Sequence, residues 1–126
     1  MAKKVIYTDE APEPIGPYSQ AIAVNGMLFV SGQVAIDAFS GVVVRDSIEA
    51  ETKQVMQNIG HILQANDMDY SHIVKTTIFL KDMHDFPKMN EVYGSYFSNQ
   101  PPARETVEVS CLPKNVSVEI SCIAIK

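Results

Sequence analysis

The sequence predicts an α+β architecture: one sheet of five or six strands with two helices packed on a single face. Two observations carry that prediction. Segments of strand and helix character follow one another in the order strand, hairpin, helix, strand, helix, strand, strand. Only two stretches, one entered near Asp46 and one near Asp85, repeat apolar residues at helical spacing. At 126 residues and 13.9 kDa the chain has the size of one domain, 1–126. A monomer of that mass buries roughly two-thirds of the surface of its unfolded chain, enough for a core without disulfides or metals.

Lys4 to Thr8 is a short edge strand. Pro12, Pro14, Gly16 and Pro17 then impose an extended loop, because proline fixes φ and biases its predecessor away from helix. Ser19 to Val24 and Met27 to Ile36 flank Asn25-Gly26, and both turn residues tolerate the positive φ of a type I′ hairpin. Asp37 to Val44 reads as a second loop turning at Gly41. The first helix has Asp46 as its N-cap, with Glu49 three residues on in the manner of a capping box. Its apolar stripe is Ile48, Val55, Ile59 and Ile62 with Met56 and Leu63, and Asn66-Asp67 ends it. After the loop Asp67 to His72, Ile73 to Leu80 is a strand rich in β-branched residues. The second helix begins near Asp85 with Pro87 in its first turn, carries Met89, Val92, Tyr93, Tyr96 and Phe97 as its stripe, and stops at Asn99 to Pro102. Arg104 to Cys111 and Val116 to Ile125 are the last strands, joined by Leu112-Pro113-Lys114-Asn115.

Two helices cover one face of such a sheet. Yet Met27 to Val30 and Ile78 to Leu80 lack polar alternation, which predicts strands buried on both sides. The bare face needs a partner, since large apolar patches are unusual on monomers. A homo-oligomer is therefore expected, with a subunit number that does not follow from the pattern.

Composition removes several classes of function. Apolar residues are 46% and charged residues 20% of the chain, and the longest apolar runs, Gly26 to Val30 and Ile120 to Ile125, are strand-sized, so no membrane span is expected. Met-Ala-Lys-Lys-Val-Ile-Tyr-Thr-Asp-Glu has neither an apolar h-region nor transit-peptide character, and a cytoplasmic location is expected. The sequon Asn115-Val116-Ser117 carries no meaning without a secretory signal. A net charge of −5, with no basic run longer than Lys3-Lys4, counts against nucleic acid as a partner. Cys111 and Cys122 lie among apolar residues and read as buried, reduced thiols. His61, His72 and His84 are scattered, and no metal-ligand spacing appears.

The last two strands hold the candidate chemistry. Arg104, Thr106, Glu108 and Ser110 alternate with Val107, Val109 and Cys111; Ser117, Glu119 and Ser121 alternate with Val118, Ile120 and Cys122. If these strands are neighbours, Arg104 or Thr106 comes close to Glu119. The plain reading is two solvated faces with surface charges. The sharper one is a site where Arg104 binds a carboxylate and Glu119 handles a proton or a water. Only a guanidinium offers the planar two-pronged donor that a carboxylate fits. Tyr18, after Gly16-Pro17, offers a phenol or simply an anchoring ring; Ser31-Gly32 interrupts an apolar strand as a bulge or as amides open to a ligand. Asn90 and Tyr93 are close on the second helix, with Tyr93 in its apolar stripe. No nucleophile triad and no phosphate-cradling glycine loop is present.

At these residues the chain resembles a known family. Ile15-Gly16-Pro17-Tyr18-Ser19-Gln20-Ala21, Phe29-Val30-Ser31-Gly32-Gln33, Ile73-Val74-Lys75-Thr76-Thr77, Pro102-Ala103-Arg104 to Val109 and Leu112-Pro113-Lys114 to Ala124 are similar, in order, to motifs of the Rid (YjgF-type) reactive intermediate deaminases. The resemblance spans essentially the whole chain. It implies a six-stranded mixed sheet with two helices on one face, of chorismate-mutase-like type, assembled as a homotrimer around a central barrel with a ligand cleft at each interface.

It further implies hydrolysis of 2-aminoacrylate-type enamines and their imine tautomers, such as 2-aminocrotonate/2-iminobutyrate, to 2-keto acids and ammonia, without a cofactor. Carried over by position, Arg104 pairs with the substrate carboxylate and Glu119 orients or activates water, with Tyr18 as the third catalytic position. Ser31, Gly32, Asn90, Tyr93 and Thr106 then fall at substrate-lining positions. Many members carry Cys where this chain has Thr106, so the expected activity does not need a thiol there, or the substrate range is shifted. Two other functions compete with the deaminase: a regulatory module that binds 2-keto acids without turnover, and an RNA-cleaving translation inhibitor, which the acidic balance disfavours.

Overall fold

The computed structural model describes residues 2–126. Its strands are β1 (Lys4–Ile6), β2 (Ala21–Val24), β3 (Met27–Gln33), β4 (Ile73–Leu80), β5 (Ala103–Glu108) and β6 (Val118–Ile125). The helices are α1 (Ile48–Gln64), between β3 and β4, and α2 (Phe86–Gly94), between β4 and β5. The strands form one mixed sheet in the order β1-β2-β3-β6-β4-β5, with β4 and β5 parallel and every other neighbouring pair antiparallel. This is the α+β layering the sequence predicts, with the strand count at six.

The hairpin turns where Asn25-Gly26 require it, at φ of +51° and +75°. The cap of α1 differs from expectation. Ser47, extended at φ −165°, accepts from the Ala50 amide, so Asp46 lies one residue too early and Glu49 completes no box. The stripe Val55, Met56, Ile59, Ile62 and Leu63 is fully buried, and Asp67, at φ +57°, ends the turn beyond α1. Helix α2 stops at Gly94. Tyr96 and Phe97 continue its stripe from a tighter turn, in which their amides donate to the Tyr93 and Gly94 carbonyls.

Strand placement corrects a larger expectation. The last two strands are not neighbours, because β6 enters the sheet between β3 and β4 while β5 takes the outer edge. The α2 crossover from β4 delivers β5 parallel to it, which leaves the central slot for the antiparallel β6. That slot suits β6, whose Val118, Ile120, Cys122 and Ala124 are all buried beneath the helices. Strand β5 ends at Glu108, so Cys111 lies outside the sheet and is exposed; only Cys122 is buried as expected.

Within one chain the sheet is buried on the helix side alone. Leu28, Val30, Ile78 and Leu80 are buried, whereas Phe29 is 40% exposed and Phe79 half-buried on the other face. Val5, Ile22, Phe29 and Ile123 are aligned across four strands of that open face by register. The apolar side the sequence required to be covered is present, and one chain does not cover it. No helix among the described residues is long and apolar enough to cross a membrane.

Candidate active site

The candidate residues fall into two groups on opposite faces of the sheet. Register sets Arg104 beside Thr76 and Thr106 beside Ile78, on the side carrying the helices. The same register sets Phe79 beside both Val107 and Glu119, on the open side. Arg104 and Glu119 are thus separated by the sheet itself, and the expectation that one chain brings them together is wrong. Side chains alternate with period two, so the different parity of the two positions relative to β4 decides the outcome.

Arg104 rests on α2. Its guanidinium lies 5.4 Å from the Phe86 ring centroid and 5.2 Å from that of Tyr93, and Nη1 donates to Asn90 Oδ1. Phe86, Asn90 and Tyr93 stand at i, i+4 and i+7, hence on one helix face. Tyr93 is buried; its hydroxyl shares a 2.8 Å hydrogen bond with Thr76 Oγ1 and its ring packs on Phe97. Burial pushes the Tyr93 phenol up from its ordinary pKa, while the Thr76 hydrogen bond and the Arg104 charge oppose that shift. Glu105, on the open face, pairs with Lys75 at 3.1 Å, and among the described residues Arg104 has no acidic partner. Asn90, Tyr93, Phe97, Pro102 and Arg104 border a depression of about 400 Å³. An exposed guanidinium held by one amide and stacked on aromatic rings, with donors left over, suits a carboxylate.

The second group surrounds a break in β3. Val30 pairs with Cys122 but Gln33 with Ile120, so β3 advances three residues against two at Ser31-Gly32. The Glu119 carboxylate lies over Gly32, where a β-carbon would fall 2.8 Å from Glu119 Cδ. Glycine is therefore the residue that lets the carboxylate settle onto the backbone. Burial raises the Glu119 pKa above its ordinary value. The reading of Ser31 as a free amide does not hold: its N–H donates to Gln20 O at 2.9 Å and its hydroxyl to Ser19 O at 2.6 Å. Tyr18 is 54% exposed, following Gly16 at φ +124°. Tyr18, Ser31 and Gly32 line a cavity of about 570 Å³ with Ile15, Val34 and Ile36.

Thr106 joins neither group. Its hydroxyl is buried on the helix side with no hydrogen-bond partner among the described residues. Two contributors escaped the sequence reading. Phe86 forms half of the bed under Arg104, and its spacing from Asn90 and Tyr93 was the available signal. Gln20, 2% exposed, exchanges hydrogen bonds with both the amide and the carbonyl of Thr8 and donates to the Ala11 and Pro12 carbonyls, fixing the loop that leads to Tyr18; only burial reveals that role. No group of three or more His, Cys, Asp or Glu among the described residues could hold a metal ion.

A single sheet, two helices on one side and these two groups of residues define a class that similarity identifies. The family described as Endoribonuclease L-PSP matches residues 8–126. The chain belongs to that family, the Rid proteins. A RutC family protein of Pyrococcus abyssi is 52% identical over 126 residues, covering 100% of this chain and 99% of that protein. The mouse 2-iminobutanoate/2-iminopropanoate deaminase is 45% identical, covering 98% of this chain and 92% of that protein. Among solved structures, the Rid family protein YyfA of Yersinia pestis superposes with a TM-score of 0.97 at 47% identity, covering 99% of this chain and 100% of that one.

Proposed function

We propose that this chain hydrolyses reactive 2-imino acids, and the enamines that tautomerise to them, to 2-keto acids and ammonia, at a site completed by two copies of the chain. The observation that carries the proposal is the separation of Arg104 and Glu119 onto opposite sheet faces. A carboxylate fork and a carboxylate base are both needed for this reaction, and one chain cannot present them to one small substrate. A second copy seated on the bare face supplies the missing half. The apolar row Val5, Ile22, Phe29 and Ile123 supplies the driving force for that seating. The deaminase name of the mouse relative supports the reaction class, and a homotrimer is the assembly we propose.

In the composite cleft Arg104 of one copy grips the substrate carboxylate by its free donors, with Asn90 and the Phe86 and Tyr93 rings fixing the fork. Glu119 of the next copy holds a water against the C=N carbon, and the exposed Tyr18 hydroxyl and the Gly32 backbone border the imine nitrogen. Water adds to carbon as Glu119 takes its proton and passes it to nitrogen; the carbinolamine hydroxyl then gives its proton, through Glu119, to the amine, which leaves as ammonia and frees the ketone. Positioning of reactants at roughly 3–3.5 Å supplies much of the acceleration. A general base typically adds about 10²–10⁴-fold, more effectively when its pKa is raised toward the working pH. The whole of 1–126 acts as one such unit, and no cofactor enters the reaction.

Mixing decides the question. Arg104→Ala and Glu119→Gln chains, each strongly impaired alone, are co-refolded and assayed for loss of 2-iminobutanoate generated in solution. A site shared between copies of a cyclic trimer returns about a quarter of native activity, since random assembly restores that fraction of interfaces. A site within one chain returns none, and that result defeats the two-copy reading. An inactive native chain that still binds 2-ketobutyrate would leave the binding module as the function.

A further inference from the structure

The turn between β5 and β6 is held in a conformation that its own residues disfavour. Lys114 and Asn115, neither of them glycine, lie consecutively in the left-handed region at φ of +56° and +55°. L-residues persist there only when the surroundings over-determine them. Here the surroundings do so. The Arg45 guanidinium donates to Lys114 O at 2.7 Å and to Asn115 O at 3.2 Å, spanning the two strained residues. Lys81 donates from Nζ to Asn115 Oδ1 at 2.6 Å and from its amide to Ser117 O at 3.1 Å. Glu51, buried in the first turn of α1, accepts the Ser117 amide at 3.0 Å, and Val116 between them is fully buried.

The clamped segment reaches the candidate site in two ways. Pro113 and Lys114 form one wall of the cavity lined by Tyr18, Ser31 and Gly32. Ser117 immediately precedes β6, two residues before Glu119. We infer that Arg45 is a positioning residue: by holding Lys114 and Asn115 left-handed it fixes the entry of β6 and thereby the seat of Glu119 over Gly32. Arg45 lies outside both half-sites and touches no proposed substrate atom. It acts through the turn, and a single ammonium in its place cannot span the two carbonyls. The inference rests on the deaminase reading for its kinetic consequence, but the clamp itself is independent of that reading.

The test compares Arg45→Ala, Arg45→Lys and the double variant Arg45→Ala/Asn115→Gly with the native chain. In Arg45→Ala, kcat for 2-iminobutanoate falls by about tenfold or more, since small misplacements of a reacting group are costly. KM stays within about twofold, because the Arg104 fork on the opposite face is untouched. Amide exchange at Val116 and Ser117 accelerates. Arg45→Lys lies between, and covers the case in which the alanine variant fails to fold. Asn115→Gly in the alanine background restores kcat, because glycine takes the left-handed conformation without the clamp. Unchanged exchange in Arg45→Ala overturns the clamp. Faster exchange with native kcat, or a lost kcat that glycine does not restore, overturns the positioning role. A native chain without any turnover defeats the deaminase reading alone, and the exchange measurement still decides the clamp.

Discussion

The two groups of candidate residues meet opposite electrostatic conditions on the two faces of one sheet. On the helix side Arg104 keeps its charge exposed, steadied by Asn90 and two aromatic rings and unpaired by any acid among the described residues. On the open side Glu119 is half-buried against the Gly32 backbone, and burial raises its pKa. An exposed cation keeps its hydration until a ligand arrives, which suits recognition; a carboxylate partly stripped of water is a stronger base, which suits proton transfer. The difference puts the candidate carboxylate-binding group and the candidate base on separate surfaces, and in the proposed function these meet only between chains.

The comparison is broken most severely at Arg104. Arg104→Ala should lower kcat/KM for 2-iminobutanoate by about a hundredfold or more, and Arg104→Lys should lose most of that although the charge remains. Thermal stability should hardly change in either, since the side chain is exposed. Native-like kinetics in Arg104→Lys would remove the fork from the account.

Gly32→Ala attacks the other half. The new methyl group must displace the Glu119 carboxylate rather than any backbone, so the fold survives while kcat drops by about tenfold or more. Calorimetric binding of 2-ketobutyrate should persist through Arg104. Loss of binding together with turnover would show that the two halves are not separable in this way.

A smaller effect sharpens the contrast through pH. Because burial raises the Glu119 pKa, the acid limb of kcat should lie higher than an unburied glutamate would set it and vanish in Glu119→Gln. The stability consequence has the matching sign. Between the ordinary and the raised pKa the folded chain binds more protons than the unfolded one, so this group's contribution falls as pH rises through that window. Glu119→Gln should flatten that slope, and urea unfolding at several pH values measures it.

The smallest effect separates the two thiols. Burial pushes Cys122 up to about 12, whereas Cys111 is exposed. A thiol reagent should label one cysteine per native chain quickly, with activity retained, and the second only on unfolding. Two fast-labelling thiols would place Cys122 at the surface.

Local signals were legible wherever neighbours in sequence are neighbours in space. Asn25-Gly26 announced its hairpin, the apolar stripe of α1 its buried face, and Ile73–Leu80 its strand to the residue. The alternation within β6 was also read correctly, from its own period of two. Arg104, Asn90 and Tyr93 were singled out and do lie together, as Tyr18, Ser31 and Gly32 do. Cys111 was misplaced because β5 stops three residues sooner than its pattern suggests.

The amino-acid sequence by itself determined the elements, their order, the face of each that is apolar, and the need to cover a bare sheet. These depend on spacing along the chain, where 3.6- and 2-residue periods act directly. Only the tertiary structure decided that β6 enters between β3 and β4, that Arg104 and Glu119 consequently face opposite ways, and that Arg45, Glu51 and Lys81 converge on one strained turn. Strand order is a choice among pairings of nearly equal local merit, settled by which strand best fills the central slot beneath both helices. No pattern within a single strand records that competition, and the functional geometry follows from it.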